Sequence, residues 1–181
     1  MKKIALMLLL AVATATMFAQ MDVQVGGQPM MKSKDIIDNA VNSADHTTLV
    51  AAVKAAGLVE TLKGKGPFTV FAPTNDAFTA LPAGTVDTLL KPENKDTLVK
   101  VLTYHVVAGR YDFKALEKMI KAGGGKATLK TVSGGNLTAM MNGPHNIVLQ
   151  DGKGNVAHIS TYDVYQSNGV IHVIDKVIMA G

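Results

Sequence analysis

Three short blocks constrain the fold of this chain more than any other feature, because each is an apolar run that ends abruptly at small or hydrogen-bonding residues. The blocks are Thr69–Phe78 (TVFAPTNDAF), Leu102–Gly109 (LTYHVVAG) and Asn168–Met179 (NGVIHVIDKVIM). Apolar runs that stop at a turn or cap residue are typical of buried strands and of the helices beside them. The sequence therefore predicts a core built from distant parts of the chain.

The first residues have the pattern of a secretory signal. Lys2 and Lys3 precede the apolar run from Ile4 to Ala13, and small residues follow. Such a run is too short to span a bilayer, but it suits the core of a signal peptide. Cleavage after Ala15 fits the small-residue rule better, whereas cleavage after Ala19 gives a longer signal. We expect residues 1–19 to be the signal, ending between 15 and 20, and the product to be secreted, either extracellular or periplasmic.

Composition limits the partners and the compartment. The chain contains no cysteine, so its stability has to come from a hydrophobic core without disulfides. Its net charge is +4, and two of the positive charges lie in the predicted signal. The remaining chain is nearly neutral and has no basic patch interleaved with aromatic residues, so we expect no nucleic-acid partner. We also expect no transmembrane segment after the signal, and a monomer.

The periodicity changes once along the chain, from helical to strand-like. Residues 20–32 are polar and contain Gly26-Gly27 and Pro29, which predicts a flexible lead-in. Apolar residues recur at helical spacing from Ser33 to Lys121, interrupted by one buried strand at 68–72. From Lys126 onward, short alternating runs separated by Gly, Asn and Asp turns predict five strands, at Lys126–Val132, Leu137–Met141, Asn146–Leu149, Val156–Thr161 and Val170–Met179. Segregated helices and strands indicate an α+β fold, and residues 33–181 are predicted to form one domain.

The residues that could carry chemistry do not form a catalytic or metal-binding pattern. The histidines are His46, His105, His145, His158 and His172, and none lies at a helical i, i+4 spacing with another ligand. No Gly-x-Ser-x-Gly elbow is present, and the few carboxylates fall mostly at caps and turns. We therefore expect no enzyme activity, no catalytic residue, no metal and no cofactor.

Taken together, the three blocks resemble the signature boxes of the fasciclin-domain family in order and in rough spacing, over about Asp35 to Met179. The resemblance implies a twisted β wedge or sandwich with helices packed at one edge, in which the first and last blocks pair. It also implies that His105 and His172 belong to buried hydrogen-bond networks, with Asp76, Asp163 and Asp175 as candidate partners. The residues that it implies as the structural motif are Thr69, Phe71, Pro73, Thr74, Asn75, Asp76, Phe78, Asn168, Gly169, His172 and Asp175.

The resemblance also implies an adhesive function and two candidate partner-binding segments. Asn94, Lys95, Asp96 and Leu98 resemble a stretch that animal matrix relatives use toward integrins, with Thr97 in place of isoleucine. The alternative is an ordinary helix start in which Asp96 is the cap and Leu98 is buried. Tyr104 and His105 similarly resemble the family's adhesive Tyr-His box, or they hold a helix against the sheet.

Two functions from different classes remain open. The first is cell adhesion or extracellular-matrix and surface interaction, through binding of a cell-surface or matrix protein or glycan. The second is transport of a hydrophobic small molecule, such as a lipid or pigment. An apolar pocket of about 300 Å³ or more, containing a few polar groups, would favour the carrier. A packed interior with a broad exposed patch would favour adhesion.

Overall fold

A computed structural model of the protein describes residues 22–181, and in that range it contains seven α-helices and nine β-strands. The predicted signal peptide, residues 1–19, lies outside the described residues. Six of the helices lie before Val106, and the seventh ends at Ala122. Five strands follow it between Lys126 and Ile174. The predicted change from helical to strand-like periodicity is therefore confirmed.

The bounds of the elements follow the turn and cap residues of the sequence. The helices are α1 (Ile36–Ala40), α2 (Thr47–Ala56), α3 (Val59–Lys63), α4 (Asn75–Thr79), α5 (Thr85–Leu89), α6 (Lys95–Tyr104) and α7 (Phe113–Ala122). Short 3-10 helices occupy Ala44–His46 and Pro92–Asn94. The strands are β1 (Gln24–Val25), β2 (Gln28–Pro29), β3 (Phe68–Pro73), β4 (Val106–Ala108), β5 (Lys126–Lys130), β6 (Asn136–Met141), β7 (Ile147–Gln150), β8 (Val156–Gln166) and β9 (Gly169–Ile174).

Seven of the strands form one sheet in the order β4-β3-β9-β8-β7-β6-β5. Strands β3 and β9 run parallel, with Thr69 opposite Val170 and Phe71 opposite His172, so the first and last sequence blocks are neighbours as predicted. The other strand pairs of this sheet are antiparallel. A single bridge between Val107 and Thr131 brings the two ends of the sheet together, which leaves the sheet nearly closed.

Two apolar clusters lie on opposite faces of the central strands, because successive side chains of a strand point to opposite sides. Val70 and Ala72 of β3 pack with apolar residues of α1, α2, α4 and α6. Phe71, which lies between them, is fully buried in the second cluster with Leu116 of α7 and the interior of β5 to β9. Most helices therefore cover one face of the sheet, and the predicted α+β class is confirmed.

The segment predicted as a flexible lead-in is packed against the domain. Strands β1 and β2 form a hairpin, and the side chains of Val25 and Met30 are only 7% and 3% exposed. The side chain of Asn39 accepts a hydrogen bond from the Met31 backbone N–H at 3.0 Å and donates one to the Met31 carbonyl at 2.8 Å. The structure differs from the prediction because Val25 and Met30 pack beside residues of α1 and β9, among them Ile36 and Ile171, and local periodicity does not reveal such contacts.

The long strand β8 also differs from its prediction, which ended at Thr161. It continues to Gln166 through two register shifts, and Asp163 adopts a left-handed backbone conformation with φ of 57°. Such irregularities interrupt the alternation of side chains on which strand prediction depends. Strand β9, in contrast, ends at Ile174 and not at Met179, because the residues that follow are held by side-chain hydrogen bonds.

Candidate interaction site

The polar residues of the first block stabilise the chain on both sides of β3. Thr69 is fully buried, and its hydroxyl donates to the Gly109 carbonyl at 2.7 Å while it accepts from the Tyr111 N–H at 2.9 Å. Thr74 is the N-cap of α4 and accepts from the Ala77 N–H. These groups satisfy backbone atoms that would otherwise be buried without partners.

Asn75 stabilises a different helix from the one on which it lies. Its Oδ1 accepts from the Thr48 N–H at 3.0 Å, and its Nδ2 donates to the Ala44 carbonyl at 2.8 Å. Thr48 is in the first turn of α2, whose preceding residue, His46, makes no side-chain cap. Asn75 therefore supplies the missing N-terminal cap of α2 from a distant part of the chain.

Asn168 performs the equivalent function in the last block. Its Oδ1 accepts from the Ile36 N–H at 3.1 Å, and its Nδ2 donates to the carbonyls of Leu62 at 2.8 Å and Gly64 at 2.9 Å. The side chain is buried, so these are hydrogen bonds that water does not replace. Asn168 thus joins the start of α1, the end of α3 and the start of β9.

The other motif residues are part of the apolar core, or of the start of α4, around these hydrogen bonds. Pro73 ends β3, and Phe78 is buried beside the helices. Asp76 is exposed in the first turn of α4, where a carboxylate suits the positive end of the helix. At Gly169 an added Cβ would lie 2.2 Å from the Phe68 carbonyl oxygen, so the parallel pairing of β3 and β9 leaves no room for a side chain there.

His105 is buried at the end of α6 and links this helix to the C-terminal segment through hydrogen bonds. Its ring is 2% exposed, its Nδ1 lies 2.8 Å from the Val101 carbonyl, and its Nε2 lies 3.1 Å from the Ile178 nitrogen. The carbonyl can only accept, so Nδ1 carries the proton and Nε2 accepts from the Ile178 N–H. Burial lowers the pKa of His105 to about 4, which keeps the ring neutral near pH 7.

His172 is a second buried, hydrogen-bonded histidine, and it carries its proton on the other ring nitrogen. Nε2 donates to the Tyr111 carbonyl at 2.8 Å, and Nδ1 accepts from the Asp163 backbone N–H at 3.3 Å. The ring stacks on Phe71 with centroids 5.7 Å apart. Burial lowers the pKa of His172 below its ordinary value, although its backbone hydrogen bond and nearby carboxylates act in the opposite direction.

The predicted carboxylate partners of these two histidines are wrong. Backbone groups hold both rings, and Asp163 contributes its N–H while its carboxylate accepts from the Phe113 N–H. Asp175 instead pairs with exposed His158, with 3.1 Å between Oδ2 and Nδ1. A buried neutral ring needs one donor and one acceptor, which backbone atoms provide without placing a charge in the core.

Tyr104 and Leu98, two of the predicted partner-binding residues, are also in the interior. Tyr104 is 0% exposed, and its hydroxyl donates to the Asn136 carbonyl at 2.6 Å and accepts from the Gly152 N–H at 2.9 Å. Leu98 is 3% exposed. Together with His105, these residues hold α6 against the sheet, as the alternative interpretation has it, and the folded domain does not present them to a partner.

The start of α6 is the accessible part of the predicted binding segments. Lys95 and Asp96 are exposed, and Asn94 is half-buried and donates to the Thr88 carbonyl at 2.7 Å. Asp96 is not the helix cap, because α6 begins at Lys95 directly after a 3-10 turn and no side chain caps it. Lys95 and Asp96 therefore present one cationic and one anionic group to solvent.

Sequence reasoning missed Asp151, although it organises the C-terminal segment. Its carboxylate accepts from the N–H groups of Lys153, Asn155 and Met179 and from the Asn155 side chain. Desolvation raises the pKa of Asp151, but these hydrogen bonds outweigh it and hold the pKa below its ordinary value. The Asp-Gly-Lys-Gly sequence indicates a turn here, but it contains no signal for the contact with Met179.

Two small apolar cavities lie in the interior formed by residues 22–181. One of about 60 Å³ lies between α1, α2, α3, α6 and β3, and a neighbour of about 30 Å³ is lined by Met30, His46 and Ile171 among others. Grooves of about 420, 320 and 520 Å³ are open to the surface. Both interior cavities are much smaller than the volume of about 300 Å³ that a typical ligand pocket offers.

Two further observations describe what residues 22–181 contain. No helix in this range is both long enough and apolar enough to cross a membrane. Within the same range, no three His, Cys, Asp or Glu side chains are grouped closely enough to hold a metal ion.

Comparison with known proteins gives a consistent match. A sequence model described as "Fasciclin domain" matches residues 44–180. Protein sll1483 of Synechocystis is 51% identical over 80% of this chain and 72% of its own length. The cell surface glycolipoprotein MPB83 of Mycobacterium bovis is 33% identical over 82% of this chain and 62% of its own length.

The fold is also found among solved structures. A FAS1 domain pair from the insect cell adhesion molecule Fasciclin I superposes with a TM-score of 0.70 at 18% identity, over 81% of this chain and 51% of that chain. At this identity the likeness shows the fold alone. The sequence match and the nearly closed sheet with its flanking helices agree, and the chain belongs to the fasciclin-domain family.

Proposed function

We propose that this protein mediates adhesion at a cell surface or in an extracellular matrix by binding a protein or glycan through its outer surface. The observation that carries the proposal is the fasciclin-domain match over residues 44–180. A Mycobacterium bovis relative is named a cell surface glycolipoprotein, which supports the same location for this chain. We further propose that residues 1–19 direct secretion and that the domain acts without enzymatic chemistry.

The exposed start of α6 is the first surface to test. Lys95 and Asp96 are neighbours with opposite charges, and they can form complementary contacts with a polar or charged partner. Tyr104, His105 and Leu98 support this surface from beneath, since they fix α6 on the sheet. The segment therefore combines a rigid base with free polar groups.

The carrier alternative gains no support from the interior cavities. At about 60 and 30 Å³, they would have to expand severalfold to hold a lipid or pigment. Native mass spectrometry of the protein purified from its source separates the two functions. A co-purified lipid or pigment would favour the carrier, whereas an empty protein is expected for adhesion.

The adhesion experiment measures binding of source-cell surfaces and extracted matrix to immobilised protein. We expect saturable binding that the charge exchange Lys95→Asp/Asp96→Lys reduces about tenfold, because interfacial charges are then mismatched. The exchange keeps the net charge, and Lys153→Glu serves as a control at a distant exposed site. Binding by heat-unfolded protein at the same level would contradict the proposal.

A further inference from the structure

Strand β5 forms one end of the sheet, and one side of it is largely unpaired. All five of its residues pair with β6, from Lys126 opposite Met140 to Lys130 opposite Asn136. On its other side, β4 is only three residues long and reaches this end of the sheet through the single bridge between Val107 and Thr131. Within residues 22–181, no strand continues beyond that bridge along β5.

The register identifies the backbone groups that face the unpaired side. The Thr131 N–H donates to the Gly135 carbonyl at 2.9 Å, toward β6, whereas the Val132 N–H donates to the Val106 carbonyl at 2.8 Å, toward β4. In an antiparallel pair, alternate residues direct both their N–H and C=O groups to the same side. Thr128 and Lys130, which lie four and two residues before Val132, therefore direct theirs away from β6, and in this bridge the Lys130 C=O faces the Ala108 N–H of β4.

An open groove of about 420 Å³ runs beside these groups. Thr128 and Lys130 line one wall, and Ala108, Tyr111 and Met119 line the rest, with Val132 at its end. Val132 is 47% exposed, one of three large apolar side chains in the described part of the chain with such exposure. The groove thus places unpaired backbone groups next to apolar side chains, as in sites that accept an added strand.

The charges beside the groove favour a foreign, acidic segment over a second copy of this chain. Lys126 and Lys130 are exposed on β5, and no residue of 22–181 that lines the groove is acidic. Antiparallel pairing of two β5 edges would bring these lysines together, and like charges across a strand pair are destabilising. Glutamate or aspartate at alternate positions of an incoming strand would instead face the lysines.

We propose that the groove beside β5 binds an extended acidic segment of a protein partner, which adds to the sheet as a further strand. The N–H and C=O of Thr128 and the N–H of Lys130 hydrogen-bond to it. Its acidic side chains lie near Lys126 and Lys130, and its alternate apolar side chains contact Tyr111 and Met119. This interaction rests on the proposed function, since it supplies one means by which the surface recognises a protein.

The probe is a short labelled peptide that alternates glutamate and valine, titrated against the purified protein by fluorescence anisotropy. We expect saturable binding, reduced about tenfold in Lys126→Glu/Lys130→Glu, because the two cationic groups beside the bound strand are replaced by anionic groups that repel its glutamates. The control Lys54→Glu/Lys153→Glu changes the net charge equally at exposed sites elsewhere and should bind as the wild type does. A peptide N-methylated at alternate residues should not bind.

Amide hydrogen exchange tests the backbone contacts directly. With the peptide bound, the amides of Thr128 and Lys130 should become protected, while that of Leu129, already paired with β6, should change little. Equal binding of the N-methylated peptide, or equal competition by an anionic polysaccharide without new amide protection, would show charge attraction alone and overturn the proposal. So would absence of saturable peptide binding. If the source-cell surfaces still bind the protein in that case, the proposed function stands and only the added strand is excluded.

Discussion

Asn168 shows how a single polar side chain can hold three elements together. It gives one acceptor and two donor hydrogens to the backbone of Ile36, Leu62 and Gly64. Removing a buried hydrogen-bonding side chain lowers the free energy of unfolding by more than the net contribution of its hydrogen bonds. The reason is that the partner groups are left without a hydrogen bond to either protein or water. Its contribution to stability therefore exceeds that of an exposed asparagine with similar bonds.

We predict that Asn168→Ala lowers the free energy of unfolding by about 2–4 kcal/mol, since the backbone groups of Ile36, Leu62 and Gly64, the last of them partly buried, lose their partner. The measurement is urea denaturation followed by circular dichroism. Asn42→Ala is the matched control, because the Asn42 side chain donates to the Asp38 carbonyl at an exposed position. Equal losses in the two variants would show that burial of the Asn168 hydrogen bonds is unimportant.

Sequence reasoning identified the residues of the frame better than their partners. Asn168, Thr74 and Asn75 stand in apolar blocks where a polar side chain needs a structural reason, and all three make backbone hydrogen bonds. The partners of Asn168 and Asn75 lie far away in the sequence and become visible only in the folded chain, whereas Thr74 caps its own helix. The carboxylates predicted for the histidines failed for this reason, because the nearest acceptors and donors are backbone atoms.

At the scale of elements, the N-terminal hairpin of the described chain contributes more to the core than the sequence pattern predicts. Gly26-Gly27 and Pro29 are typical of a loose segment, yet Val25 and Met30 contribute to the core beside α1. A few apolar anchors and one asparagine suffice to hold the hairpin, and neither produces a periodic pattern. In contrast, β5 to β7 are close to their predicted bounds, because periodicity and turn residues agree there.

We predict that Met30→Ala lowers the free energy of unfolding by about 2–4 kcal/mol, through lost burial and the cavity that remains. Its neighbour Met31 is the matched control: the side chain is 40% exposed, and Met31→Ala keeps the backbone bonds to Asn39, so we expect a change within about 0.5 kcal/mol. Thermal and urea unfolding of both variants measure the difference. Equal losses of the free energy of unfolding in the two variants would show that the hairpin does not pack into the core.

At the scale of the whole molecule, neutral histidines join parts of the chain that are distant in sequence. His105 links α6 to the C-terminal segment and His172 links β9 to the loop after β4, whereas the Nδ1 of buried His46 makes a local contact, 2.9 Å from the Ser43 hydroxyl. Burial lowers the pKa of each below its ordinary value. For His105 and His172, protonation would also place a new N–H against the backbone N–H that the ring nitrogen now accepts.

This arrangement makes stability depend on pH in a defined window. The pKa of His105 is about 4 in the folded protein against 6.5 for an unperturbed histidine, so between these values the unfolded chain binds a proton that the folded one does not. Stability is then greatest above pH 6.5, falls as the pH drops toward 4, and loses about 3 kcal/mol from this residue over the interval. His46 and His172 shift in the same direction and add to the loss.

We predict that urea denaturation at intervals between pH 7 and pH 4 shows this loss in the wild type and a shallower dependence in His105→Gln. Glutamine can donate and accept hydrogen bonds at the same site without titrating, so the comparison isolates the proton on His105 even if the variant is less stable at pH 7. His145→Gln, at an exposed position, should retain the wild-type slope. Parallel curves for the wild type and His105→Gln would mean that the ring is not held neutral by its burial between α6 and the C-terminal segment.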